Sequence, residues 1–120
     1  MALRMRKNRS SPPPVACPLL SCTSIIGGAW TPSIIWYLSG GPRRFTELKK
    51  DIAPVTARVL TKRLRELEAD GVVERRVEPT SPPSVEYELT ALGRELLPAI
   101  QAIADVGARL QQRERAAAFD

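Results

Sequence analysis

The stretch TARVLTKRLRELEADG, residues 56–71, has the clearest helical pattern in the sequence. Thr56 suits the N-cap position because its hydroxyl can accept a hydrogen bond from a free backbone N–H of the first turn, and Gly71 suits the helix end. With 100° of rotation per residue, Leu64 and Leu67 lie within about 40° of Leu60. These leucines predict a buried face along which the helix packs against a core.

The opposite face of this helix carries Arg58, Lys62 and Arg65, with Thr61 beside them. Taken alone, three cations on one helix indicate a solvated surface as readily as a DNA-binding face. A shorter predicted helix, ELKKDI, comes just before them. Two short helices in this order, the second with outward cations, are typical of a helix-turn-helix whose second helix enters the major groove of DNA.

Two extended segments follow, VVERRVEP and SVEYELT, and the loop between them contains three prolines. In the second segment Val85, Tyr87 and Leu89 alternate with Glu86 and Glu88, which is typical of a half-buried strand. A stiff hairpin directly after a helix-turn-helix predicts a wing that contacts DNA beside the helix.

Residues 15–41 form an uncharged run. A membrane span needs about 20 mostly apolar residues in one helix, and Gly27, Gly28 and Pro32 interrupt this run. The sequence therefore predicts two short helices, the first from Pro18 to about Ile26, buried in a core or in a dimer interface.

The last predicted helix has Thr90 as its N-cap and an apolar stripe with steps of four and three residues, close to the spacing of packed helix pairs. The stripe consists of Leu92, Leu96, Ile100, Ile103, Gly107 and Leu110. Pro98 should kink this helix. One small domain cannot bury the whole stripe, so we expect a homodimer.

The composition argues against an enzyme, because the 120 residues include no histidine, the commonest general base and a frequent metal ligand. Residues 42–65 carry eight basic and two acidic side chains, whereas acids outnumber bases in residues 66–120. Such a local basic block indicates a polyanionic partner, here double-stranded DNA. We expect a cytoplasmic protein with no cofactor, no metal site and no membrane partner.

Several longer motifs resemble the HxlR-type branch of the MarR-like winged helix-turn-helix transcription regulators. They are CP at 17–18, IGGAW at 26–30, GPRRFTEL at 41–48, VLTKRLRELEADGVVERRV at 59–77, PPSVEYELTALG at 82–93 and LLPAI at 96–100. The resemblance implies a mainly α fold with a small β-hairpin wing (α+β), a winged helix-turn-helix with N- and C-terminal dimerisation helices. It also implies a homodimeric repressor or activator that binds a two-fold symmetric operator. We assign residues 1–14 to a disordered basic tail, either a solvated tail or a supplementary nucleic-acid arm, and residues 15–120 to this domain.

The predicted sites follow from these patterns and from the resemblance. The predicted DNA-binding residues are Arg43, Arg44, Thr56, Arg58, Thr61, Lys62, Arg65 and Arg76. The predicted dimer interface contains Leu19, Ile26, Leu96, Ile100, Ile103 and Leu110. Two positions that are usually basic in the family are Ala29 and Ser84 here. Arg75 and Arg76 at the base of the wing either contact the DNA backbone in place of Ser84 or pair with nearby glutamates.

The two cysteines, Cys17 and Cys22, do not suggest a metal site, because there is no histidine and no second cysteine pair. Within one helix their Cα atoms would be about 7.5 Å apart, beyond the reach of a disulfide. Cys17 precedes the first predicted helix, where the free N–H groups favour a thiolate. Some members of the family use this cysteine as a sensor of oxidants or electrophiles, so Cys17 is either a sensor or a structural cap. Cys22 is expected to be a small core residue.

Two other functions remain open at this point. A winged-helix module that binds an acidic protein would explain the basic face without specific DNA binding. A thiol enzyme would explain the cysteines, but it lacks a general base and a second correctly spaced cysteine.

Overall fold

The computed structural model describes residues 18–118, so Cys17 and the predicted tail over residues 1–14 lie outside the described residues. The elements in chain order are α1 (Pro18–Ile26), α2 (Thr31–Leu38), β1 (Arg43–Arg44), α3 (Phe45–Asp51), α4 (Ala57–Ala69), β2 (Val73–Glu78), β3 (Ser84–Leu89), α5 (Ala91–Glu95) and α6 (Leu97–Ala118). The predicted winged helix-turn-helix is confirmed, with α3 and α4 as its two helices and the β2–β3 hairpin as its wing.

The sheet contains one strand more than the predicted two-stranded hairpin. Its order is β1–β3–β2, and both pairings are antiparallel. Strand β1 has only two residues, Arg43 opposite Tyr87 and Arg44 opposite Glu86. A two-residue strand is too short to show an alternation of polar and apolar residues, so the sequence pattern does not reveal it.

A single core joins the helices to the inner face of the sheet. Its fully buried side chains include Ile34, Ile35 and Leu38 from α2 and Leu48 from α3. The three leucines of α4 complete it, and each is at most 1% exposed. The helical period of the sequence thus predicted correctly which face of α4 is buried.

The ends of several helices follow the expected chemistry. Thr56 accepts a hydrogen bond from the Val59 N–H at 3.2 Å, and Thr90 accepts one from the Gly93 N–H at 3.1 Å. After α4, Gly71 adopts a φ of 77°, which few residues with a Cβ tolerate. Helix α2 differs, because its N-cap is Trp30, whose side chain makes no capping hydrogen bond.

The predicted last helix is divided into α5 and α6 by a break at Leu96. Pro98 lacks the N–H that would bond to the Arg94 carbonyl, so the helical ladder cannot continue through this turn. The expected effect of Pro98 is therefore confirmed as a short interruption.

Helix α1 packs against the body mainly through its C-terminal end. Ile26 is buried, whereas Leu19 is 72% and Leu20 68% exposed. Cys22 is also exposed, so its predicted place in the core is wrong. Among residues 18–118, most of α1 has no neighbour that covers it. No single helix in residues 18–118 is long and apolar enough to span a membrane; α1 and α2 reach that threshold only as a pair bent by 82°.

Candidate nucleic-acid interface

The outer face of α4 presents three exposed cations, Arg58, Lys62 and Arg65. Their positions follow from the leucine stripe, which fixes the rotation of the helix about its own axis. Within the described residues none of the three makes a salt bridge, whereas Arg43, Arg63 and Arg76 do. Their charges are therefore available to an anion from outside the chain.

Thr61 lies beside these cations and is half-buried. Its hydroxyl donates a hydrogen bond to the Ala57 carbonyl at 2.7 Å within the helix. The oxygen keeps its capacity to accept a hydrogen bond from a ligand. Thr56, the N-cap of α4, is exposed.

A cleft of about 460 Å³ lies beside α4, toward the wing and the start of α3. Its lining includes Arg44 at the start of α3, Thr61 of α4, and Arg75 and Tyr87 of the wing. A neighbouring cleft of about 390 Å³ is lined by Arg65 as well as Arg75. Arginines from three different elements therefore border this side of α4.

Arg75 and Arg76, adjacent on β2, lie on opposite faces of the wing. Arg75 pairs in register with Tyr87, whose ring is buried on the inner face, so Arg75 is directed toward α4. Arg76 lies on the outer face, where it forms salt bridges with Glu88 at 2.6 Å and Glu74 at 3.7 Å. Arg76 is therefore paired with glutamates, one of the two alternatives that the sequence left open, and Arg75 is the arginine that faces α4. The signal for this was already in the sequence, because strand alternation assigns the two residues to different faces.

Arg43, another predicted DNA-binding residue, is paired with acidic side chains. Its guanidinium pairs with Asp51 at the end of α3 and lies 3.8 Å from Glu47. The hydrogen bond to Asp51 and the nearby acidic charges raise the pKa of Arg43 above its ordinary value, against the opposing effect of desolvation. Arg43 therefore ties β1 to α3, and its charge is compensated within the chain. Arg44, the next residue, is exposed and makes no salt bridge among the described residues.

The outer face of the wing is acidic. It carries Glu74, Glu78, Glu86 and Glu88 together with Arg76, and Arg44 of β1 lies opposite Glu86. A hydrogen bond with Glu78 raises the pKa of Glu86, and burial and the charge of Glu78 act in the same direction, whereas Arg44 and Arg76 lower it. This face is a poor partner for a polyanion, in contrast to the face that carries Arg75.

The predicted dimer-interface residues fall into two groups. Leu19, Ile103 and Leu110 are apolar side chains that are at least 50% exposed. By contrast, Ile26, Leu96 and Ile100 are at most 9% exposed within the single chain. The second group packs in the chain's own core and has little surface left for a partner. On the last helix, sequence periodicity cannot separate the two groups, because Leu96, Ile100, Ile103 and Leu110 belong to one continuous stripe.

The described residues 18–118 contain no group of three or more side chains suited to a metal ion. Of the two cysteines, Cys22 is exposed on α1 and Cys17 lies outside the described residues.

Comparisons with known proteins agree on one family. The family described as HxlR-like helix-turn-helix matches residues 25–115 of the chain. The HTH-type transcriptional regulator YdeP of Bacillus subtilis (strain 168) is 43% identical over 97 residues, which cover 81% of this chain and 76% of YdeP.

Two solved structures are similar in sequence and fold. The redox regulator HypR in its oxidised form is 40% identical, with a TM-score of 0.74, over 78% of this chain and 96% of HypR. The reduced form of the transcriptional regulator YodB from B. subtilis is 37% identical, with a TM-score of 0.67, over 76% of this chain and 90% of YodB.

Proposed function

Because this chain belongs to the HxlR-like helix-turn-helix family, we propose that it acts as a homodimer that binds a two-fold symmetric DNA operator through α4. The family consists of transcriptional regulators of the helix-turn-helix type and not of enzymes. The oligomeric state, the operator and the contacting residues are the parts that we propose.

The observation that carries the proposal is the cationic face of α4, whose three charges have no acidic partner among the described residues. An α-helix fits the major groove of B-form DNA, where arginine can make two hydrogen bonds to one guanine. Arg58 lies in the first turn of α4, the part of a recognition helix that reads base edges. Lys62 and Arg65 follow one and two turns later and reach bases or phosphates.

Contacts to the DNA backbone then come from residues around α4. We assign Thr56 and Arg44 to phosphates near the start of the helix, and Arg75 to a phosphate on the side of the wing. Such contacts hold the protein in register but are insensitive to base sequence.

The homodimer rests on apolar surface that one chain leaves exposed on α1 and α6. Leu19 and Leu20 on α1, and Ile103, Val106 and Leu110 on α6, are all at least 46% exposed. Monomeric proteins seldom leave contiguous apolar patches of this kind uncovered. Pairing of α1 and α6 between two copies would cover them and would set two α4 helices on one side of the dimer.

The test is a selection of bound sequences from random duplexes, followed by titration of the best sequence with competitor DNA present. We expect an inverted repeat with half-site centres about 34 Å apart, one turn of B-form DNA. Binding that competitor DNA removes completely would contradict the proposal and would favour a winged-helix module that binds an acidic protein.

We also propose that oxidants weaken operator binding through Cys17. One similar structure is that of a redox regulator, and YodB was solved after treatment with diamide, a thiol oxidant. Cys17 directly precedes Pro18, the first residue of α1. Reaction there would act on the helix that we assign to the dimer interface.

A further inference from the structure

Arg63 is the one cation of α4 that does not face outward for DNA. It lies at the edge of the buried leucine face, and its side chain is 22% exposed. Its Nε donates a hydrogen bond to the Ala29 carbonyl at 3.1 Å, and its Nη1 pairs with Glu66 at 3.0 Å. Within residues 18–118 this is the one side-chain hydrogen bond between α4 and the segment before β1.

The turn that receives Arg63, residues 27–30, has a backbone suited to it. Trp30 has a φ of 71°, a left-handed conformation that is unfavourable for a bulky residue. A Cβ on Gly28 would lie 3.2 Å from Arg63 Nη1 and 2.8 Å from the Thr31 hydroxyl oxygen. Glycine at this position therefore leaves room for the guanidinium.

The geometry of this contact favours a guanidinium. Its N–H groups point in several fixed directions, so one side chain can bond to a backbone carbonyl and to a carboxylate at the same time. An ammonium carries a similar charge but lacks this planar fork. Glu66, one turn along α4, fixes the orientation of the group.

The turn begins directly after Ile26, the last residue of α1. Arg63 thus links α4 to the turn that connects α1 to α2 by a directional bond, while the leucines of α4 hold the helix by packing that is less directional. We propose that Arg63 is a positioning residue, which fixes the orientation of α4 relative to α1 and thereby sets the half-site spacing that the dimer accepts. The inference rests on the proposed function, in which α1 lies at the dimer interface and α4 binds DNA.

The test uses the full-length protein and the selected operator with one base pair inserted or removed between its half-sites. One base pair moves a half-site by about 3.4 Å and rotates it by about 35°. A rigid dimer must therefore bind the altered operators more weakly than the selected one. We expect the parent to prefer its own spacing by about tenfold or more, and Arg63→Ala to reduce this preference to less than about threefold. Glu66→Ala should change it in the same direction but less.

Two variants separate position from charge. Arg63→Lys keeps the charge and should still lose the spacing preference. Arg94→Ala removes an exposed cation from α5 and should bind like the parent. Thermal unfolding and light scattering establish that each variant remains folded and dimeric.

An unchanged ratio between spacings in Arg63→Ala would overturn the inference, as would a parent-like Arg63→Lys protein. If the parent itself binds no specific duplex, the proposed function fails, and that outcome is visible before any variant is made. A parent that binds specifically but equally well at every spacing would overturn only the role given to Arg63.

Discussion

At the scale of single residues, base recognition depends on which α4 cation meets a base and which meets a phosphate. Replacing Arg58 by alanine should cost about 1–3 kcal/mol on the selected operator, since a bidentate contact to a base is lost. The loss should be much smaller on unrelated DNA. Fluorescence anisotropy with both duplexes measures the difference. Equal binding of parent and variant to the operator would show that α4 does not read the operator as we propose.

Arg75 and Arg76 form a matched pair, because they are neighbours on β2 with opposite surroundings. Arg75→Ala should weaken binding to all sequences alike. The plot of log binding constant against log salt should become less steep by about one per subunit. Arg76→Ala removes the same charge but should have little effect on DNA binding, because Arg76 is already paired with Glu88. Salt titrations of both variants provide the measurement. A larger effect from Arg76 would mean that the outer face of the wing contacts DNA.

The redox proposal also belongs to this scale. Diamide should oxidise two thiols to a disulfide, taking up the two protons and two electrons that they lose. Operator affinity should then fall about tenfold, equivalent to about 1.4 kcal/mol, in the parent and not in Cys17→Ser. Cys22→Ser tests whether the exposed Cys22 of the partner supplies the second sulfur. An identical response of parent and Cys17→Ser would leave Cys17 as a structural cap.

At the scale of elements, the wing contains a pH-sensitive pair of carboxyl groups, those of Glu78 and Glu86. The raised pKa of Glu86 means that the folded chain holds its proton more strongly than the unfolded chain does. This group therefore lowers stability as pH rises from the ordinary glutamate pKa through the raised value. Between about pH 4 and 7, the stability difference between Glu86→Gln and the parent should shift in favour of the variant. Urea unfolding at several pH values measures it, and a difference independent of pH would contradict the assignment.

The helices of this chain were more predictable than its strands. Thr56 and the leucines of α4 act locally, through capping and a 3.6-residue period, so they can be recognised from the sequence alone. Strand β1 is defined by its pairing with β3, a partner more than 40 residues away. The same reason explains Arg63 and Ala29, which are 34 residues apart and come together only in the folded chain.

The candidate site was predictable in the same uneven way. The outward cations of α4 followed from the period of one helix. The roles of Arg43 and Arg76 depended on partners elsewhere, Asp51 and Glu88, whose charges cancel theirs. Sequence can count charges in a segment, but it cannot tell which of them are already paired.

At the scale of the whole molecule, burial within one chain decides which apolar residues can form a dimer. Ile100 is 3% exposed and completes the core, whereas Ile103, one turn further along α6, is 50% exposed. Substitutions at these two positions should therefore have different effects. Ile100→Lys would bury a charge without a partner and should prevent stable folding.

Ile103→Lys combined with Leu110→Lys should instead give a folded monomer, because both side chains point away from the core and are half exposed. Operator affinity should fall steeply, since each subunit would then bind one half-site without the other. Light scattering gives the mass, circular dichroism the helix content, and anisotropy the affinity for full and half operators. A matched control is Arg113→Ala, an exposed substitution on the same helix that removes no apolar surface. If the double variant stayed dimeric with parent-like binding, α6 would not be the dimer helix, and the spacing of the two α4 helices would need another origin.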